Sequence, residues 1–205
     1  MEAFFNQAYV DDTAPWDIGR PQPEIVALAN AGEIAGRVLD AGCGTGEQAL
    51  FLASRGHVVL GIDGAEAAIA RARQKARDRR LPARVVVWDA LDLARLGETF
   101  DTVVDVGLFH VFDDDERRRY VAGLREVTVD GGHVVVMCFS EREPGDSGPR
   151  RVTRRELRDA FAEGWRVEWI RPASFESRRG DGRAAAWLAK IARHAATSRR
   201  GGPHG

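Results

Sequence analysis

Short apolar runs alternate with longer amphipathic stretches along most of this chain. Runs near 37–41, 57–62, 84–88, 101–106, 132–139, 165–171 and 183–189 read as strands. Stretches near 24–30, 46–55, 65–79, 114–128 and 153–163 carry their apolar positions at helical spacing. In the fourth of these, Tyr120, Val121, Leu124 and Val127 share one face, and Asp113-Asp114 caps its start. Asp130-Gly131-Gly132 reads as the turn that follows it. Strand and helix alternating in this way predict a doubly wound α/β fold with a mostly parallel sheet. The stretch from Thr13 to Pro23 fits neither period, and the tail 196–205, small and basic, predicts disorder.

The first strand runs into Asp40-Ala41-Gly42-Cys43-Gly44-Thr45-Gly46, and a helix follows at once. Strand, glycine turn and helix form the first unit of a nucleotide-binding fold, with the ligand against the turn. Glycine is required where backbone must turn sharply and let a ligand approach closer than a Cβ allows. The dinucleotide fingerprint asks for a further glycine where this chain has Glu47. A carboxylate in that first turn would repel a pyrophosphate, which favours a ligand without phosphate and with a positive centre.

Val38 to Gly46 resembles motif I of the class I S-adenosylmethionine-dependent methyltransferases. Gly61-Ile62-Asp63 resembles their acidic second motif, Val85 to Ala90 the third-strand motif, and Phe100 to Asp105 the fourth. The resemblance implies a Rossmann-like methyltransferase fold, seven-stranded with an antiparallel last strand, and S-adenosyl-L-methionine as methyl donor. It places Asp40 near the methionine amino group and Asp63 on the ribose hydroxyls, with Gly42, Cys43, Gly44, Gly46 and Gly64 around the donor. Trp88, Asp89 and Ala90 would hold the adenine, and Asp105 and Val106 complete the set. Asp40 equally serves to fix the loop, and Asp89 to cap a helix.

Pro15-Trp16-Asp17-Ile18-Gly19-Arg20-Pro21 resembles the lead-in of the thiopurine, halide and thiol methyltransferase branch. By that resemblance Trp16 belongs to a lid over the donor, with Phe4, Phe5 and Tyr9 as its inner wall; packing as core is the other reading. The branch implies a small acceptor: a thiol, a halide or chalcogen ion, or a heterocyclic or phenolic nitrogen or oxygen. Phe109, His110, Phe139, Arg150, Arg151 and Trp187 are the candidates to line its side. His110 stands after the fourth strand, where donor and acceptor meet. Either it takes a proton as a base or it bonds backbone and shapes the pocket. Methyl transfer depends mainly on alignment, so no catalytic triad is expected.

Length and charge limit the rest. At 205 residues and net charge −1 the chain reads as one domain over 1–195, with 1–30 forming lid and first helix, and not as a nucleic-acid binder. From residue 178 onward seven Arg or Lys stand against one Asp, which reads as a solvated surface. Two distant cysteines give no disulfide framework, and the acidic run Asp113 to Glu116 reads as a helix start and not a metal site. No run has membrane-spanning length, so a cytoplasmic enzyme is expected, its oligomeric state unspecified. A cofactor-binding module without transfer activity is the alternative. A nicotinamide-dependent oxidoreductase is less favoured, given Glu47 and the lack of a Tyr-Lys pair or catalytic cysteine.

Overall fold

The apolar runs assemble into one seven-stranded sheet in a computed structural model that describes residues 2–145, 148–180 and 182–194. The elements in chain order are α1 (Glu2–Val10), α2 (Pro23–Asn30), β1 (Arg37–Ala41), α3 (Glu47–Ser54), β2 (Val58–Asp63), α4 (Glu66–Asp78) and β3 (Arg84–Val87). A 3-10 segment, Ala90–Leu96, leads to β4 (Phe100–Val106), and another, Phe109–Val111, leads to α5 (Asp114–Val127). The chain closes with β5 (Thr128–Phe139), α6 (Arg154–Ala160), β6 (Trp165–Glu176) and β7 (Arg183–Arg193). The sheet order is β3-β2-β1-β4-β5-β7-β6, and β7 runs antiparallel to both its neighbours. Every other pairing is parallel. The predicted tail lies outside the described residues.

Both faces of the sheet are covered. On one, Tyr120 and Leu124 of α5 and Leu157 of α6 pack against Val103, Val134 and Trp187. On the other, Ile25 and Leu28 of α2 and Leu52 of α3 pack against Val38, Val104 and Val135. Each such aliphatic side chain contributes roughly 1.5–3 kcal/mol by leaving water. Helices α5 and α6 both start with capping boxes, Asp113 with Glu116 and Thr153 with Glu156, so two of these starts are fixed by local sequence.

Four local expectations give way. Residues 2–10 are helical, because α1 packs on α4 and Asn6 accepts the Ala67 N–H at 2.9 Å. Asp130 to Gly132 is no turn: β5 already starts at Thr128, and a register shift opposite Phe100 and Thr102 absorbs the glycines. β6 continues past 171 through Pro172, which an edge strand tolerates because one row of its N–H groups has no sheet partner. β7 likewise runs on to Arg193. Of the basic C-terminal residues, Lys190 pairs with Glu33 and Arg193 with Asp130. No helix among the described residues is long and apolar enough to cross a membrane.

Candidate active site

The carboxyl ends of β1 to β5 open onto a cavity of about 1570 Å³, the side of a doubly wound sheet where ligands bind. At one end lies the glycine turn. Gly42, Gly44 and Gly46 all take positive φ (71°, 52° and 86°), a region costly for residues with a Cβ. Space is short as well: a Cβ on Gly44 would lie 2.6 Å from the Tyr9 hydroxyl, and one on Gly46 2.9 Å from the Ala72 Cβ. The turn is thus squeezed between α1 and α4. Asp63 holds it from below, accepting the Gly44 N–H and the Ala65 N–H, each at 2.8 Å, and lies on the cavity wall.

Gly42, Cys43, Gly44, Asp63, Gly64, Trp88, Asp89, Ala90 and Val106 all reach this wall. Cys43 also packs beneath Gly61, and burial pushes its thiol pKa up, which keeps it inert. Asp89 accepts the Leu91 N–H at 2.8 Å and caps the 3-10 segment while facing the cavity, so both readings of this residue coexist. Gly46 shapes the turn without lining the cavity.

Two acids stand behind the wall instead of on it. Asp40 is buried, and its Oδ2 has no hydrogen-bond partner among the described residues. Burial raises its pKa to about 7, against the Ala49 backbone bond and with help from Asp63 and Asp105. Asp105 accepts the Leu108 and Phe109 N–H groups and the Tyr120 hydroxyl, and burial raises it to about 6. It fixes the turn after β4 and touches no cavity space, which corrects its expected place beside the donor.

Glu47 needs a second correction. Its carboxylate is bound by Lys75 of α4 and by Arg79, the residue that caps that helix, both at 2.8 Å. Burial raises its pKa, but those partners outweigh burial and hold it below the usual carboxylate range. A carboxylate neutralised by two cations exerts little repulsion on a phosphate, so the preference inferred from Glu47 in the sequence loses its charge argument.

The other end of the cavity is aromatic. His110, Phe139 and Phe175 meet at ring centroid distances of 4.7 Å, 5.9 Å and 5.4 Å. The Arg151 guanidinium lies over the Phe139 ring at 5.5 Å. Phe109 and Trp187 do not take part. Phe109 is buried against Phe161, with the Arg117 guanidinium over its ring at 4.5 Å. Trp187 is wholly buried and donates to Glu141 at 2.6 Å and to the Val152 carbonyl at 3.1 Å. Side chains alternate across a strand, and Trp187 takes the face turned to α6. Arg150 reaches the cavity wall but is bound to Asp114 and Glu156.

The segment between α1 and α2 covers the cavity. Trp16 is 39% exposed, donates to the Tyr9 hydroxyl at 2.8 Å and meets Phe5 edge-on at 5.4 Å. It lines the cavity together with Tyr9, Phe5 and the largely exposed Phe4. The segment is tied at both ends of the site. Asp17 accepts the Thr45 hydroxyl at 3.0 Å, and Gln22 exchanges two hydrogen bonds with the Glu176 backbone at 2.8 Å and 3.0 Å. Thr45 and Gly107 line the cavity as their segments imply, and Phe175 is a cavity residue that sequence reasoning did not name. Phe175 was hidden because Pro172 ended the predicted strand before it.

The residues fit S-adenosylmethionine. The glycine turn makes a cradle that Cβ atoms would fill, an acid stands 21 positions past Gly42 for a ribose, and Trp88 to Ala90 flank the space beyond.

Residues 38–132 match the methyltransferase domain family. The chain is 37% identical over 173 residues to the 2-heptyl-1-hydroxyquinolin-4(1H)-one methyltransferase of Mycobacteroides abscessus, covering 82% of this chain and 75% of that one. It is 24% identical to thiocyanate methyltransferase 1 of Brassica oleracea, covering 91% and 84%. A solved structure concerned with the conversion of a disulfide bond into a thioacetal group during echinomycin biosynthesis superimposes with a TM-score of 0.86 at 38% identity, covering 95% of this chain and 93% of that one. With these relatives, this sheet order and this glycine cradle, the chain belongs to the S-adenosylmethionine-dependent methyltransferases.

Proposed function

We propose that this methyltransferase, acting through a single domain over residues 1–195, transfers its methyl group to a small planar aromatic or heterocyclic acceptor, at an oxygen or ring nitrogen. The observation that carries this reading is the aromatic wall of His110, Phe139 and Phe175 facing the donor cradle across one cavity. A volume of about 1570 Å³ exceeds the roughly 300–1,000 Å³ of a site for one drug-sized ligand, and leaves room for donor and acceptor together. A halide or thiocyanate ion would leave most of the aromatic end unfilled. A flat ring stacks there, since offset and edge-on aromatic contacts add about 0.5–1.5 kcal/mol beyond burial. The quinolone named for the Mycobacteroides abscessus relative is an acceptor of this shape.

The donor supplies a methyl group on a sulfonium that is already a good leaving group. The chain aligns the acceptor against it and excludes water with the Trp16 segment, and such positioning lowers a barrier by about 7–11 kcal/mol. A second reading, a sulfur acceptor, is favoured by the relative whose reaction starts from a disulfide. A competition assay separates the two. The protein is incubated with tritiated S-adenosylmethionine and equal amounts of 2-heptyl-1-hydroxyquinolin-4(1H)-one, an aryl thiol and thiocyanate, and products are resolved by mass spectrometry. Turnover concentrated on the quinolone supports the proposal, and turnover confined to the thiol or thiocyanate overturns it.

A further inference from the structure

His110 is 95% buried yet lines the cavity. Its Nδ1 lies 2.9 Å from the Phe139 backbone nitrogen, whose N–H has hydrogen to give and no lone pair to offer. Nδ1 is therefore the acceptor in that bond, and the neutral ring must carry its hydrogen on Nε2. Phe139 is held in turn: it is the last residue of β5, paired with Ala186 of β7, and its carbonyl accepts the Val152 N–H at 3.0 Å. The tautomer is thus set by the sheet. Nε2 has no hydrogen-bond partner among the described residues, and it faces Gly107, where a Cβ would lie 3.7 Å from it.

Resting on the reading of a planar acceptor above, we infer that His110 is a fixed hydrogen-bond donor and not a base, and that the site selects acceptors whose oxygen reaches it as an anion. The matching class is an aromatic or N-hydroxy heterocycle with an acidic O–H, in preference to a weakly acidic phenol, an alcohol or an amine. An Nε2–H aimed into the cavity can bind an oxyanion but has no lone pair to take a proton. Protonating Nδ1 instead would break the Phe139 bond and place a hydrogen against a hydrogen. The surroundings agree. Burial, followed by the positive charges of Arg117 on α5 and Arg151 in the loop after β5, pushes the ring pKa down to about 3. The remaining neighbours, Phe139, Phe175 and Gly107, carry no charge.

The transfer then needs no proton to move. A lone pair of the acceptor oxyanion forms the new O–C bond. The S–C bond breaks with its electron pair left on sulfur, and the acceptor proton has gone to solvent before binding. His110 stays a donor throughout, and its hydrogen bond holds the oxyanion in line.

Two measurements test this without relying on turnover. In the first, 15N spectra of the wild-type protein should show one His110 nitrogen protonated and the other not, unchanged from about pH 5.5 to about pH 8. An Nδ1–H tautomer, or a ring titrating in this interval, overturns the inference while leaving the proposed function standing. In the second, 4-nitrophenol is bound to the complex with S-adenosylhomocysteine at a pH where the free ligand is half ionised. The bound ligand should absorb as the yellow anion; absorption as the neutral phenol overturns the inference.

Substitution then separates donor from base. His110→Gln keeps an N–H near the Nε2 position and cannot serve as a base, whereas His110→Ala removes the donor. Removing a single oxyanion donor costs about 100-fold or more in kcat. His110→Ala should lose that much on the quinolone, and His110→Gln should stay within about tenfold of wild type. Equal loss in both variants refutes the donor role. A wild type that methylates none of the planar acceptors sinks the proposed function, and this inference with it.

Discussion

The two ends of the cavity are built on different principles. The donor end is made of backbone: three glycines at positive φ, a carboxylate gripping two N–H groups, and strand ends contiguous between residues 38 and 106. The acceptor end is made of side chains from distant stretches, with His110 after β4, Phe139 at the end of β5 and Phe175 near the end of β6. Backbone recognition reads the same from one sequence to another with similar glycine spacing. Side-chain recognition changes with every substitution. Under the proposed assignment of its two ends, the donor end marks the family and the acceptor end marks the individual enzyme.

The sharpest way to break this contrast lies at the donor end. Asp63→Ala removes a carboxylate from the cavity wall and also frees the Gly44 and Ala65 N–H groups. Hydrogen bonds to a charged group contribute about 1.5–3 kcal/mol, so S-adenosylhomocysteine affinity measured by calorimetry should fall about tenfold to over a hundredfold. Unchanged affinity would remove Asp63 from the donor site.

A smaller effect tests the boundary of the acceptor end. Trp187→Phe removes the indole hydrogen bonds to the Glu141 carboxylate and to the Val152 carbonyl, which keeps the Glu141 N–H as a second donor. Losing these two hydrogen bonds costs about 0.5–1.5 kcal/mol each, which thermal unfolding should register as a lower Tm. Acceptor KM should stay at its wild-type value, because the ring lies outside the cavity. A raised KM at unchanged Tm would return Trp187 to the substrate wall.

A pH-dependent effect comes from the acids behind the two ends. Asp40 and Asp105 have folded values raised from 3.8 to about 7 and about 6. Between the unfolded and folded values the folded protein binds more protons than the unfolded chain. These two groups therefore make stability fall as pH rises through that window, with no further loss above it. The Tm of Asp40→Asn should accordingly decline less than that of wild type between about pH 5 and about pH 8. Parallel profiles would show that Asp40 does not titrate in this range.

Much of the fold was legible because its signals are local. The strands end where apolar runs end, and α5 and α6 start at capping boxes visible as Asp113 with Glu116 and Thr153 with Glu156. Where tertiary contacts decide, the sequence misled. Helix α1 exists because α4 lies beneath it, and β6 runs through Pro172 because it is an edge strand. Within the site, the glycine turn and Asp63 could be placed from their order along the chain. Phe109 and Trp187 could not, since strand and turn give a side chain two faces and only packing says which one it takes. For Phe109 the choice was made by Phe161, for Trp187 by Glu141 and Val152.

The covering segment is bonded to Thr45 of the donor cradle and, through Gln22, to Glu176 next to the acceptor wall. One strip of chain thus spans both binding events. Any ordering of that strip by one ligand is ordering that the other need not repeat. By thermodynamic reciprocity, whatever factor the donor adds to acceptor affinity the acceptor adds to donor affinity. Ordering of that strip by both ligands would make their binding cooperative.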